Sequence, residues 1–327
     1  MRAPRGWRNA RPGLLARALS PLGAIYGAAT ARRMARAGVR VEAPVLCVGN
    51  FVVGGAGKTP TALALARLLR AAGERPAFLS RGYGGEARAD SQRVSLGADS
   101  ARRVGDEPLL LARVAPCYVG PDRVASARLA IEDGASVLIM DDGLQNPALE
   151  KTLTAAVVDG EAPFGNGLCL PAGPLRAPVA AQMRHVDALV MIGGDAVAAA
   201  RLSERAAGKP LFLASLKADA IAASHLIGRP VLAFAGIANP EKFFATLSGI
   251  GAQVVETATF PDHWRFRRRE IERLAARAAR RRLTLVCTEK DFVRLPASLA
   301  DETQVLPVTL GFEAPAAVAA WLTGLRR

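Results

Sequence analysis

The sequence predicts an α/β protein of the P-loop NTPase type: a mostly parallel sheet with helices on both faces, plus a second, smaller α/β lobe. Three observations predict it. Short apolar runs alternate with helix-spaced segments along most of the chain, the pattern of strands buried between two helical layers. The first such run, Val45–Val48, opens into a glycine-rich loop, "VGNFVVGGAGKTP" at 48–60, and a helix-spaced stretch follows. The polar motifs stand where apolar runs end, and open α/β sheets build their sites at the carboxyl ends of strands.

Taken in order, Pro44 precedes the strand Val45–Val48, and Thr61–Ala72 has helical spacing that stops at Gly73. Pro76–Leu79 reads as a strand, Glu107–Val114 as a helix, Cys117–Val119 as a strand and Arg123–Glu132 as a helix. Ser136–Met140 is a strand running into Asp141 and Asp142. Further strands are expected near Ala188–Ile192, Leu211–Ala214, Val231–Ala235, Val254–Ala258 and Leu283–Cys287, with helices between most of them. Residues 160–186 are rich in Gly and Pro and break the alternation, which marks a long shaped loop. A boundary is expected near 215–228. The chain then divides into a basic, apolar N-terminal segment (1–40), a P-loop lobe (41–215) and a second α/β lobe (216–327).

Half of the 327 residues are apolar, enough for a sizeable core in one large or two ordinary domains. The formal charge is +14, and it is local. Residues 1–40 hold nine arginines and no acid, and residues 265–282 hold nine arginines and two glutamates, so the rest of the chain is close to neutral. Such placement favours a particular anionic surface over general stickiness. Cys47, Cys117, Cys169 and Cys287 are scattered, with no C-x-x-C spacing. That argues against a disulfide framework or zinc site and fits a reducing cytosol.

The loop carries the clearest chemistry. Val52, Val53, Gly54, Gly55, Ala56, Gly57, Lys58 and Thr59 are expected to wrap the phosphates of ATP. The glycines turn backbone N–H groups toward phosphate oxygens beside a helix start. Lys58 supplies a point charge and Thr59 a hydroxyl for Mg²⁺. The chain holds only six lysines, so one at this position is unlike chance placement. The common P-loop spacing asks for glycine where Val52 stands. "VLIMDDGLQN" (137–146) is an apolar strand ending in acid, the Walker B pattern, with Asp141 and Asp142 both open as the metal partner.

Four weaker motifs follow. In "VGDEP" (104–108), Asp106 either caps the next helix or stands near the transferred phosphate. In "FPDHWRF" (260–266), His263 sits between an acid and an aromatic, either as a structural histidine or as one that tunes or relays a proton for a nearby acid or base. Arg81 and Tyr83 in "LSRGYGG" (79–85) suit an anion or sugar contact, or a plain turn. "TEKDFVRLP" (288–296) follows an apolar strand, but its spacing does not match the base-recognition motif of GTPases.

The N-terminus raises a membrane question. Residues 18–31 form an uncharged run of 14 residues, with Arg17 before it and Arg32 and Arg33 after it. A spanning helix needs about 20 apolar residues. A cleaved signal peptide, an interfacial helix and a basic lead-in helix remain as readings. The interfacial helix is favoured, because an ATP site just downstream belongs in the cytosol and each basic residue near an anionic surface contributes roughly 1 kcal/mol.

Together, "VGNFVVGGAGKTP", "LSRGYGG", "GDEP", "DDGLQN", "PAGPLR", "FAGIANPEKFF", "FPDHW" and "TEKD" closely resemble, in order, the motifs of the tetraacyldisaccharide 4′-kinase family, the lipid A kinases of Gram-negative bacteria. The resemblance covers about 45 to 295. It implies transfer of the γ-phosphate of ATP to the 4′-hydroxyl of a tetraacyl-glucosamine disaccharide 1-phosphate, giving lipid IVA. It implies that Asp106 acts on the hydroxyl with His263, and that Asp141, Asp142 and Gln145 surround Mg²⁺ and the phosphates. Arg81, Tyr83 and Arg176 would lie near the lipid head group. It further implies a two-lobed enzyme held by its N-terminal helix on the cytoplasmic face of the inner membrane, in peripheral contact with anionic lipid, with no nucleic-acid partner and no obligate protein partner. Two departures stand out: Val52 replaces a common Ser, and Ala177 replaces an acid often found after P-x-G-x-L-R. The rival from another class is a nucleic-acid-dependent or partition-type P-loop ATPase. Few aromatics are available for base stacking, which argues against the first of these.

Overall fold

The computed structural model describes residues 5–7, 11–55, 57–86, 90–296 and 300–326. Helix α1 (Leu14–Met34) leads in, followed by β1 (Val45–Asn50), α2 (Lys58–Ala71), β2 (Pro76–Ser80) and a short β3 (Gln92–Arg93). Next come α3 (Ala101–Val104), α4 (Asp106–Ala112), β4 (Cys117–Val119), α5 (Arg123–Glu132), β5 (Val137–Asp141) and β6 (Leu153–Asp159). The large sheet is completed by β7 (Ala188–Ile192), which follows α6 (Val179–Met183), and by β8 (Leu211–Ala218), which follows α7 (Ala196–Arg205).

After α8 (Ala220–Ser224) the chain builds a second sheet from β9 (Pro230–Ala235), β10 (Gln253–Thr259), β11 (Thr284–Thr288) and β12 (Gln304–Leu306). Between these strands lie α9 (Pro240–Gly249), α10 (Arg268–Arg280) and α11 (Glu289–Phe292), and β13 (Val308–Phe312) and α12 (Pro315–Leu322) follow.

The large sheet has nine strands in the order β13-β8-β7-β6-β1-β5-β2-β4-β3. All its pairings are parallel except the two at the edges, β13 on β8 and β3 on β4. The small sheet, β10-β9-β11-β12, is wholly parallel. This is the mostly parallel α/β architecture expected, with its second, smaller sheet.

Strand β1 lies between β5 and β6, both parallel to it. Every residue of β1 is buried. Helices cover both faces, so its apolar residues have no solvent side. On one face Leu46 and Val48 pack with Leu65 and Leu69 of α2; on the other Phe51, Leu144 and Leu189 pack with Met34 of α1 and Leu202 of α7. Burying a side chain of that size contributes about 1.5–3 kcal/mol, which holds the start of the following loop in place.

Two differences from the sequence reading have physical causes. Strand β6 was not expected: "TLTAAVV" lacks alternation because both faces are covered, and its small residues carry a weak strand signal. The chain also returns at its end. Residues expected within a second lobe of 216–327 include β13 and α12, yet β13 pairs with β8 of the large sheet and α12 packs on α2 through the shared cluster that includes Val318 and Leu322.

The 18–31 run lies inside one 21-residue helix, α1, which passes through Pro21 without breaking. Gly23 and Gly27 face the 169–178 loop so closely that a Cβ at either would meet Cys169 at 2.7 Å. The other side of α1 presents Leu14, Leu15, Leu22, Ile25 and Tyr26 to solvent. No helix among the described residues is long and apolar enough to cross a membrane.

Candidate active site

The loop between β1 and α2 has the conformation its glycines permit. Gly57 is the N-cap of α2 with φ 86°, a left-handed backbone that disfavours any residue with a Cβ. A Cβ there would also overlap the Cδ1 methyl of Ile192. Ala56 lies outside the described residues. Lys58 Nζ donates to the Gly54 carbonyl at 3.2 Å and lies 3.8 Å from Asp142 Oδ1. The first part of the loop is tied down elsewhere: Val53 N–H donates to Pro174 O at 2.8 Å, and Val52 forms a bridge with Leu175. Val52 therefore sits where the loop is strapped to the 174–176 segment.

Strand β5 ends at Asp141, and Asp142 turns away with φ 56°. The two acids have different neighbours. Thr59 donates its hydroxyl to Asp141 Oδ2 at 3.1 Å, while Arg176 Nη2 donates to Asp142 Oδ2 at 3.0 Å. Burial pushes the Asp141 carboxyl up to about 7, helped by Glu107 and Asp142 and opposed by Lys58 and Thr59. Burial acts on Asp142 too, but Lys58 and Arg176 outweigh it and hold that carboxyl below its ordinary value.

Asp141 Oδ1 and Asp142 Oδ1 are buried without a hydrogen-bond partner. Two orphaned carboxylate oxygens beside a hydroxyl fit a hard divalent cation. Among the described residues no group of three or more His, Cys, Asp or Glu is placed to hold a metal. A cation here would need oxygens from water or substrate, the usual habit of Mg²⁺.

Gln145 is buried beneath this cluster rather than presented to a ligand. Its amide donates to Asn50 O at 2.8 Å and to Gln182 Oε1 at 2.7 Å, and its carbonyl accepts from Arg176 Nη1 at 3.3 Å. It links β1, α6 and Arg176. Gln182, fully buried, holds Phe51 O and Ala177 O in turn. Ala177 is itself fully buried, so the departure from the familiar acid falls on an interior position.

The second cluster joins the two sheets. Asp106 starts α4 on the large sheet, and His263 follows β10 of the small one. His263 Nδ1 lies 3.1 Å and 3.2 Å from the two Asp106 oxygens. His263 adopts φ 56°. Asp106 is 4% exposed. Burial raises its carboxyl, but the His263 hydrogen bond, Lys290 and Arg294 prevail and hold it near 2. The Tyr83 ring meets His263 edge-on at 5.3 Å. A cavity of about 360 Å³ opens here, lined by Tyr83, Arg102, Asp106, His263, Arg265 and others. Arg81 is exposed and is not among the residues lining this cavity. The effect of Glu107 on Asp141 ties this cluster electrostatically to the first.

The geometry thus gathers Lys58, Thr59, Asp141, Asp142 and Arg176 into one group, and Asp106, His263 and Tyr83 into a second. Sequence reasoning missed Gln182, Lys290, Arg294 and Arg123. Lys290 donates to Glu107 Oε1 at 2.8 Å across the two sheets. Arg123 is buried, donates to Ser80 O and Gly120 O, and is pushed down to about 10 by burial and Arg81. Only Lys290 and Arg294 had a signal, their place in and after "TEKD".

Comparison with known proteins gives the family. The profile of the tetraacyldisaccharide-1-P 4′-kinase family matches residues 15–326. The chain is 55% identical over 311 residues to the tetraacyldisaccharide 4′-kinase of Methylobacterium sp. (strain 4-46), covering 95% of this chain and 93% of that one. It is 49% identical over 321 residues to the enzyme of that name from Bradyrhizobium diazoefficiens, covering 97% and 94%. The crystal structure of LpxK from Aquifex aeolicus in complex with ATP matches with a TM-score of 0.73 and 26% identity, over 95% of this chain and 99% of that one. On this evidence the chain belongs to the tetraacyldisaccharide-1-P 4′-kinase family.

Proposed function

We propose that the protein transfers the γ-phosphate of ATP to the 4′-hydroxyl of a tetraacyl-glucosamine disaccharide 1-phosphate, forming lipid IVA in lipid A synthesis. The observation that carries this reading is the Asp106–His263 pair, which lines a cavity of its own and is linked through Glu107 to Asp141, the acid bonded to Thr59 of the phosphate-binding loop. A simple ATPase has no need of a second pocket with its own proton acceptor. The nucleic-acid or partition ATPase is not favoured, since the family match spans nearly the whole chain.

The roles follow from the contacts. The backbone from Gly54 to Gly57 and the charge of Lys58 hold the β- and γ-phosphates. Thr59, Asp141 and Asp142 would hold Mg²⁺, which would neutralise charge on the phosphates. Arg176, fixed by Val52 O, Gln145 and Asp142, orients the second acid. Asp106 receives the proton of the attacking hydroxyl. A carboxylate held near 2 is a weak base, yet it suffices here. Bond making to phosphorus makes the hydroxyl acidic as the transfer proceeds, and an aspartate fills this role in protein kinases. His263 binds the same carboxylate and shares the proton.

We take the two sheets as two lobes divided near residue 215, with β13 and α12 returning to the first. A site shared between lobes would link chemistry to closure and exclude water from ATP. The enzyme works as a peripheral protein on the cytoplasmic face of the inner membrane. The apolar outer face of α1 enters the lipid boundary, and arginines around it meet anionic head groups.

The test is incubation with ATP, Mg²⁺ and tetraacyl disaccharide 1-phosphate in detergent micelles, with the product analysed by mass spectrometry and phosphorus NMR. A second phosphate at the 4′ position supports the reading. ATP hydrolysis without lipid product, stimulated by nucleic acid, would replace it.

A further inference from the structure

The T-E-K-D segment and Arg294 are given no role in the function stated above, although they form a polar cluster bonded to several parts of the small sheet. Strand β11 ends at Thr288, which caps α11. Its hydroxyl donates to Asp291 Oδ2 at 2.6 Å and accepts from Asp291 N–H at 3.1 Å. Asp291 is wholly buried, and its Oδ1 accepts from Gly236 N–H at 2.8 Å and Arg294 Nη2 at 2.9 Å. Arg294 follows one turn later, with its side chain 5% exposed.

The guanidinium of Arg294 reaches five groups. Nε donates to Lys290 O at 2.8 Å and lies 3.3 Å from Asp106 Oδ2. Nη1 donates to Trp264 O at 3.1 Å, and Nη2 to Gly236 O at 3.0 Å as well as to Asp291. The plane sits 5.7 Å from the Phe266 ring centroid. Gly236 also accepts from His263 N–H at 3.2 Å, and Trp264 is the residue after His263. One planar fork therefore holds the carbonyl that accepts from His263 N–H and the carbonyl of the residue after His263, and it touches the carboxylate that His263 binds.

His263 needs such support. Its φ of 56° is a left-handed backbone, which a non-glycine residue keeps only when its surroundings over-determine it. We propose that Arg294 is a positioning residue for phosphoryl transfer: it fixes the His263 loop and docks on Asp106 Oδ2, so that the cross-sheet pair forms only with this guanidinium in place. The inference rests on the kinase reading above. A lysine cannot replace the fork, because an ammonium is a point donor without fixed planar geometry.

The test compares Arg294→Lys and Arg294→Gln, each alone and combined with His263→Ala, by transfer kinetics, ATP binding and thermal melting. All assays run below each variant's melting transition, with rates divided by the ATP-binding fraction. Arg294→Lys keeps the charge and most of the volume, which protects the fold. The expected result is a fall in kcat of about 10²-fold, the typical result of a misplacement near 1 Å, with KM for ATP unchanged. In the His263→Ala background the further loss shrinks to about twofold, because the residues act as one unit. A wild-type kcat in folded Arg294→Lys overturns the inference and leaves the kinase reading intact. An equal loss in both backgrounds also overturns it, since the role would then be structural. Absence of lipid product from wild type would overturn the kinase reading first, and the inference with it.

Discussion

His263 Nδ1 stands 3.1 Å from Asp106 Oδ2, across 157 positions of chain and from one sheet to the other. A pair assembled in this way acts as a unit. Asp106→Asn and His263→Ala are each expected to lower kcat by roughly 10²–10⁴-fold, the usual contribution of a positioned proton acceptor. The double variant should be little worse than Asp106→Asn alone. Steady-state transfer rates check this, and fully additive losses would mean that the two residues act independently.

Asp141 carries the opposite electrostatic load. Its carboxyl is raised to about 7 by burial, Glu107 and Asp142. The folded protein therefore keeps this proton between about pH 4 and 7, where the unfolded chain has lost it, so this group's contribution to stability falls as pH rises through that window. Asp141→Asn should stabilise the metal-free protein at pH 8, on the order of a few kcal/mol, and abolish transfer. Melts at pH 5 and pH 8 without divalent cation are the measurement, and an equal gap at both pH values contradicts the account. Asp106, held near 2, behaves in reverse. Its stabilisation is complete above about pH 4 and is lost as pH falls through 2, so it should add no acid limb to kcat above pH 4.

Gly57 is constrained twice, by its φ of 86° and by the Ile192 methyl. Gly57→Ala should weaken ATP binding by about tenfold or more, since the backbone strain alone is worth roughly 1–2 kcal/mol. Adding Ile192→Ala removes the overlap but not the strain, so recovery should be partial. Calorimetric ATP titrations of the two variants decide it, and full recovery would show that the overlap alone mattered.

The outer face of α1 offers Leu15 and Ile25, 74% and 68% exposed. Burying each in lipid contributes about 1.5–3 kcal/mol. Leu15→Glu with Ile25→Glu should cut binding to anionic vesicles by at least about tenfold in a flotation assay. The inner face, packed through Gly23 and Gly27, leaves the fold intact. Flotation equal to wild type would assign the membrane contact to another surface.

Much of this was legible in the sequence because the signals were local. Strand, glycine loop and helix are contiguous from Val45 to Ala71, so the loop chemistry could be read directly. The "DDGLQN" acids follow one apolar strand, but the division of labour between them depends on Thr59 and Arg176, which are distant in sequence. Gln145 illustrates the limit: its motif suggested phosphate contact, while its actual neighbours are Asn50, Gln182 and Arg176. Arg294 stood in a quoted segment, but its partners Gly236, Trp264 and Asp106 are distant in sequence, and the contact with Asp106 exists only where the two sheets meet. Strand β13 was missed for a similar reason, since its edge partner β8 lies on the far side of a whole inserted sheet.

The most direct measurement is phosphate transfer from γ-labelled ATP with Mg²⁺ to tetraacyl disaccharide 1-phosphate, comparing wild type with Lys58→Ala and Asp106→Ala. The account predicts labelled lipid from wild type. It predicts loss by orders of magnitude in both variants, with ATP binding kept in Asp106→Ala. Unlabelled lipid from folded, ATP-binding wild type, or an Asp106→Ala variant as fast as wild type, would contradict it.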